Sequence, residues 1–350
     1  MNRIVIADIC SLCDGDQSTG HYFAVAQNYV DMFDEVADVK VAGGPIYNRR
    51  FSANIILLPY NHDAGETKWL EKWHELMNCR ALCKNIGNDD VLIMQSVALV
   101  TAIVGILLFL RKSCRLFFVQ YNIDCINSPL KRMLWKMVSP KVHGVIGTLP
   151  SVVQAYGKPS IVIPDYIYTQ KQPIRYLTYG ERKYDVCMLG NIYRDKGTLE
   201  ALQYLVGKGL KIIVAGKVGE SDLEEQIKNV AQNDSDVDLR IGYLPINEYH
   251  EILGNSKYCM LNYRGRYNDH TSGVVYDALF HRTPVLATDT ASTKMVKEYG
   301  LGVAFDDISD MSYSNLKDIA SYDTYQKNIN IYLRQQTTVV EQLYDFLCHN

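Results

Sequence analysis

The chain has 350 residues, 47% hydrophobic and 21% charged, with 36 Lys plus Arg against 39 Asp plus Glu and a net charge of −3. That length allows two domains, and the composition excludes a disordered or fibrous chain and, for want of a basic excess, a dedicated nucleic-acid binder. Nine cysteines without a regular framework indicate reduced thiols, and Asp8 interrupts what would be the apolar core of a signal peptide, so a cytoplasmic location is expected.

Short apolar strands alternate with helix-length segments. Residues 4–7 predict a strand, 10–20 a Gly-containing loop, 22–33 a helix, 39–42 a strand and 69–83 an amphipathic helix. Residues 91–110 carry no charge over the length of a membrane span, but Gln95 and Ser96 divide them. A buried strand over 91–94, then a helix over 97–110 capped by Ser96, fits that division and keeps the chain soluble. A strand over 116–120, a basic helix over 130–138, a strand over 142–147, a short helix after Pro150 and a strand over 161–163 follow.

From 164 to 182 the pattern lapses into Tyr, Gln, Pro and Gly, the mark of a linker. A second series then begins, with strands over 185–189, 211–216, 239–242, 258–262 and 284–287. Helices over 198–206, 222–232, 247–253 and 272–280 lie between them, and an apolar stripe over 325–347 predicts a long last helix. This is the α/β pattern of two Rossmann-like domains, 1–164 and 183–324, joined by a linker over 165–182 and followed by a helix over 325–350. Ligands of such sheets bind beyond the carboxyl ends of the strands, so the loops after strands are where chemistry is sought.

Several motifs fail on inspection. Gly15 and Gly20 have phosphate-loop spacing, but His21-Tyr22 replace the required Lys and Ser/Thr. Asp14-Gly15-Asp16 reads as a metal-binding pair or as a solvated loop. Asp234, Asp236 and Asp238 lack the Gly and terminal Glu of a calcium loop. Cys10 and Cys13 have zinc-ligand spacing without a second pair, and Cys79 and Cys83 are one helical turn apart. No metal and no cofactor are assigned.

One constellation remains. Gly190-Asn191-Ile192-Tyr193-Arg194-Asp195-Lys196-Gly197 follows the first strand of the second half, with two cations near a helix start, a natural pyrophosphate site or else a charged surface turn. Gly216-Lys217-Val218-Gly219 follows the next strand. Farther on, Asp269, His270 and Thr271 lead into Ser272-Gly273-Val274, with Asp277 in the helix and Thr283-Pro284-Val285 beyond it. Asp277 can accept two ribose hydroxyls, or is a capping or solvated helical acid.

These residues resemble the GT-B nucleotide-sugar glycosyltransferases, the large retaining group that includes bacterial mannosyl- and glucosyltransferases. Gly190 and Lys196-Gly197 match that family's Gly-Arg…Lys-Gly turn, and Gly216 to Gly219 its Gly-rich loop. Asp269 and Asp277 hold the spacing of its paired acids. The departures are Asn191 for an Arg, Asp for both glutamates, and Gln120-Tyr121-Asn122 where the family has a His. The resemblance implies two Rossmann-like domains facing a cleft, with a last helix crossing back to the first. It implies metal-independent transfer of a sugar from a nucleotide-sugar donor to a glycan or lipid-linked acceptor in surface polysaccharide or lipopolysaccharide assembly.

Arg194 and Lys196 would then neutralise the leaving diphosphate, and Asp269 would sit by the donor sugar. Gly190, Asn191, Gly216, Ser272, Gly273, Val274 and Asp277 would line the donor. Asp16, Gly20 and His21 would meet the acceptor, with His21 as base or as helix cap. From 91 to 163 there are eight basic residues against one acid, including Lys131, Arg132, Lys136 and Lys141 around Trp135. That face either meets an anionic membrane from the cytoplasmic side or is merely solvated. Alternatives are a sugar-nucleotide epimerase of the same fold, an inverting transferase, or a binding subunit without activity.

Overall fold

The computed structural model describes residues 3–14, 17–18, 21–63, 65–95, 100–164, 167, 176–268 and 272–349. The chain divides into two compact units, Met1–Thr169 with Thr338–Asn350, and Gln170–Thr337.

Unit 1 runs β1 (Arg3–Ala7), β2 (Leu12–Asp14), β3 (Gln17–Ser18), α1 (His21–Phe33), β4 (Asp38–Gly43), α2 (Asn48–Phe51), β5 (Ile55–Leu57), β6 (His62–Asp63), α3 (Lys68–Asn85) and β7 (Val91–Met94). Then come α4 (Val100–Phe109), β8 (Arg115–Gln120), α5 (Pro129–Val138), β9 (Val142–Gly147), α6 (Pro150–Ala155) and β10 (Ser160–Val162). Seven strands pair in the order β10-β9-β8-β7-β1-β4-β5, all parallel. Alternate side chains of one strand enter different cores: Val5 and Ala7 pack with Leu92 and Ile103, Ile4 and Ile6 with Tyr29 and Phe33. Burial on both faces is why these strands read as continuous apolar runs. In the uncharged stretch after residue 90 the described residues form β7 and α4, which buries Ala102, Ile103 and Ile106. Ser96, expected as the cap, lies outside the described residues, and among those described no helix is long and apolar enough to cross a membrane.

Unit 2 runs β11 (Tyr184–Leu189), α7 (Thr198–Leu205), β12 (Ile212–Gly216), α8 (Ser221–Ala231), β13 (Val237–Ile241), α9 (Ile246–Gly254) and β14 (Ser256–Leu261). It continues with α10 (Gly273–Phe280), β15 (Val285–Thr288), α11 (Lys294–Tyr299), β16 (Gly302–Phe305) and α12 (Ile319–His349). Its six parallel strands are ordered β13-β12-β11-β14-β15-β16. Arg182, counted with the linker by its sequence context, is buried and donates to the carbonyls of Ser256, His281 and Arg282 and to Thr283 Oγ1. The last helix serves both units: Ile329 and Tyr332 enter a core of unit 2, and Leu343 and Leu347 a core of unit 1. It begins six residues earlier than the apolar stripe alone indicates. The short β5, β6, α11 and β16 carry too few residues for a visible period.

Candidate active site

In the seven-stranded and the six-stranded sheet the strand order reverses once, and the crevice at that point is where an open parallel sheet binds its ligand. In unit 2 the reversal lies between β11 and β14. The loop after β11 therefore faces the loop after β14, and this juxtaposition gathers most of the predicted donor residues.

Gly190 has φ +93, and a Cβ built on it would stand 3.5 Å from Lys196 Nζ and 3.8 Å from Val274 Cγ2. The lysine ammonium thus comes back over its own loop towards the first turn of α10. Gly197, at φ +59, closes the turn, and a side chain there would strike Asn262 O at 2.1 Å; Asn262 Nδ2 holds the Gly197 carbonyl at 3.1 Å. Gly216, at φ +140, passes so near Gly190 that a Cβ would meet its carbonyl oxygen at 2.0 Å. Both loops are built around the absence of side chains.

Ser272 is the N-cap residue of α10, yet its hydroxyl bonds Tyr263 Oη at 2.7 Å instead of capping. Tyr263 is buried, stacks on Tyr267 at 4.3 Å, and has Lys196 Nζ 6.0 Å from its ring centre. Burial raises its phenol well above the ordinary value, so it stays protonated. Gly273 and Val274 then open α10, whose first amides have no partners within the helix. Asp277 lies farther along α10, where its Oδ2 accepts from Tyr249 Oη at 2.7 Å.

Arg194 behaves differently from Lys196. Its guanidinium pairs with Glu220 at 2.7 Å and with Asp222, so its charge is matched by two carboxylates and it ties the β11 loop to the start of α8. Asn191 is exposed on the same loop. Asp269 lies outside the described residues, as do Asp16 and Gly20. His21 opens α1, and its side chain is likewise outside them. Of the set-aside acids, Asp234 caps the amides of Gly207 and Asp236, and Asp238 pairs with Arg240.

Sequence reasoning missed Tyr263, Asn262 and Tyr249. Each looks like an ordinary core or helix residue, and only the return of β14 beside β11 gives them a role. In unit 1 the reversal lies between β1 and β7. There Asp8, buried, accepts from the amides of Cys10 and Ser11 at 3.0 Å and from Tyr47 Oη at 2.7 Å, and Ser11 sits at φ +50. Gln95, just beyond β7, is 1% exposed with neither amide atom hydrogen-bonded.

Two doubly wound parallel sheets and a long last helix match the fold of solved GT-B glycosyltransferases, as the sequence resemblance implied. Among solved structures the chain is similar to HepE from Anabaena, solved with UDP and glucose, at 12% identity and a TM-score of 0.65, covering 100% of both chains. It is similar to a UDP-forming α,α-trehalose-phosphate synthase from Burkholderia xenovorans at 9% identity and a TM-score of 0.68, covering 99% of this chain and 100% of the other. It is similar also to AviGT4, a glycosyltransferase of avilamycin A biosynthesis, at 13% identity and a TM-score of 0.60, covering 99% and 97%. Neither a family model nor a curated protein matches the sequence.

Proposed function

We propose that this protein transfers a glycosyl group from a nucleotide-sugar donor to a glycan or lipid-linked acceptor. The observation that carries the reading is the placement of Lys196 Nζ against Gly190 and the first turn of α10, at the strand-order reversal of unit 2. The likeness in fold to HepE, solved with UDP and glucose, supports it.

In this reading the diphosphate lies between Lys196 and the amides of Gly273 and Val274. The bond from the anomeric carbon to the phosphate oxygen breaks with its electron pair leaving on the diphosphate, whose growing charge meets a fixed ammonium and a helix N-terminus. An acceptor hydroxyl oxygen bonds the anomeric carbon and gives up its proton to solvent. Charge is thus stabilised where it develops, and no metal is assigned to that step. Asp277, oriented by Tyr249, takes the ribose hydroxyls, and Asp269 orients the sugar. Arg194 acts at one remove by holding the loop. Retention of configuration, and a place in surface-polysaccharide or lipopolysaccharide assembly at the cytoplasmic membrane face, belong to the same proposal.

The test is a thermal-shift screen of nucleoside diphosphates and their sugars, followed by turnover assays, since a ligand of the native state raises the melting temperature by mass action. One nucleoside diphosphate and its sugar should stabilise unit 2, with release of the diphosphate on turnover. Tight binding without turnover to any acceptor would leave a binding subunit, and no binding at all would remove the reading.

A further inference from the structure

We propose that unit 1 carries a binding site for a transition metal of the Zn²⁺ class, formed by Cys10, His62 and Glu75. The Cys10 thiol sulfur, one ring nitrogen of His62 and a carboxylate oxygen of Glu75 all lie within 4.8 Å of one another. This proposal is independent of the transferase reading.

Three elements converge to make the cluster. Cys10 is in the turn after β1 that Asp8 fixes through its backbone amide. β6 pairs with β2 in the register Leu12 with His62, and the His62 amide donates to Ser11 O at 3.1 Å, which brings the imidazole to that turn. α3 supplies Glu71, Glu75 and Asn78, spaced i, i+4 and i+7 on one face; Asn78 Nδ2 donates to Ile9 O at 2.9 Å and locks the helix in place. Cys10 is 6% and Glu75 1% exposed.

Two observations separate this from an ordinary polar cluster. First, His62 Nδ1 is buried with no hydrogen-bond partner, while Nε2 lies 3.0 Å from Glu71 Oε1. A buried nitrogen without a partner is costly. A histidine with one ring nitrogen on a carboxylate and the other on a metal is the usual arrangement of a ligating imidazole, so we assign Nδ1 as the ligand atom. Second, the buried Glu75 carboxylate already holds a cation that can leave. Lys72 Nζ sits 2.8 and 3.0 Å from its two oxygens, and the Lys72 side chain is 46% exposed.

An entering dication takes the place of Lys72 at Glu75, and the ammonium moves to solvent. The Cys10 thiol, whose Sγ donates to Glu75 Oε1 at 3.6 Å, loses its proton to solvent as the sulfur–metal bond forms. One thiolate and one carboxylate then balance the two positive charges. Thiolate, imidazole and carboxylate together suit zinc, and three protein donors leave one position for water or a ligand oxygen. The Cys10 to Cys13 spacing is not the site, because Cys13 Sγ instead meets Asp63 Oδ1 at 2.7 Å.

The experiment titrates reduced, chelator-treated full-length protein with Co²⁺ alone, then displaces it with Zn²⁺. A stoichiometric thiolate-to-cobalt charge-transfer band should appear, vanish in Cys10→Ser and in His62→Ala, and persist in Cys13→Ser. Glu71→Gln should weaken Zn²⁺ binding by about ten- to a hundredfold, the range for losing a carboxylate behind a ligating histidine. Lys72→Met should tighten it, an effect that misfolding cannot produce. Absence of the band in the wild-type protein overturns the site. So does its survival in Cys10→Ser, or unchanged or weaker Zn²⁺ binding in folded Lys72→Met.

Discussion

Lys196 and Arg194 sit two residues apart in one loop, yet only Lys196 is turned towards Gly190 and α10, while Arg194 is neutralised by Glu220 and Asp222. Their substitutions should therefore separate. Lys196→Ala is expected to lower turnover about a hundredfold, the scale for losing one preorganised charge at a leaving group, in a protein that still folds. Arg194→Ala should cost much less, because an exposed ion pair contributes little. Steady-state rates of the two variants decide this, and equal losses would return Arg194 to the diphosphate. At Asp277, removal of the carboxylate should weaken nucleoside diphosphate binding by about 1–3 kcal/mol, read by calorimetry. An unchanged affinity would place the ribose elsewhere. Gly216→Ala tests the backbone itself: its φ of +140 and the 2.0 Å approach to Gly190 O should lower stability by at least about 1–3 kcal/mol in chemical denaturation.

At the scale of an element, α5 is the clearest case of a helix whose sequence and structure divide the labour. Ser128 caps it by accepting from the Lys131 amide, and Pro129 starts it without losing a bond. Trp135 is not on its outer face: the ring is buried and Nε1 donates to Tyr156 O at 3.2 Å. Lys131 and Lys141 are occupied as well, on the carbonyls of Asp124 and Leu110. What α5 exposes is Leu130, Met133 and Met137, at 59%, 53% and 55%, on an i, i+3, i+7 stripe flanked by Arg132 and Lys136. If this stripe meets an anionic membrane, the protein should sediment with anionic vesicles and be released as salt rises. Each cation near such a surface contributes about 1 kcal/mol, and buried methylenes add to it. Met133→Glu with Met137→Glu should abolish that binding and spare nucleotide affinity, since the donor residues are in unit 2. Wild-type protein that ignores vesicles at low salt would make a soluble acceptor the better choice.

The stability of the whole molecule carries a pH signature from unit 2. His281 Nε2 lies 2.9 Å from His250 Nδ1, and burial first, then the charge of its neighbours, lowers the His281 pKa to about 3. Burial lowers His250 too. Both imidazoles therefore take up a proton less readily in the folded protein than in the unfolded chain, which protonates near pH 6.5. A depressed histidine contributes stability above its unfolded value and loses it as pH falls from about 6.5 towards about 3, because the unfolded state then binds more protons. Calorimetric melting at pH 7 and pH 5 should show a drop in melting temperature that is smaller in His281→Gln than in wild type. Equal drops in the two proteins would show that the pair does not set the acid limb.

The sequence by itself determined the alternation of strand and helix, because strands buried on both faces need unbroken apolar runs and helices need a 3.6-residue stripe. It also determined the glycine-and-lysine loop at 190–197 and the helix start at Ser272, since close backbone approach and a flanking cation leave local marks. Tertiary structure alone decided which of two neighbouring cations turns inwards. It decided that Tyr263 and Asn262 support the loop, and that Trp135 faces the core while two methionines face out. It also brought Cys10 to His62 and Glu75, residues 52 and 65 positions away. Those outcomes depend on strand order and on the register of short strands, which are set by contacts between residues far apart in the chain and leave no period or spacing to read.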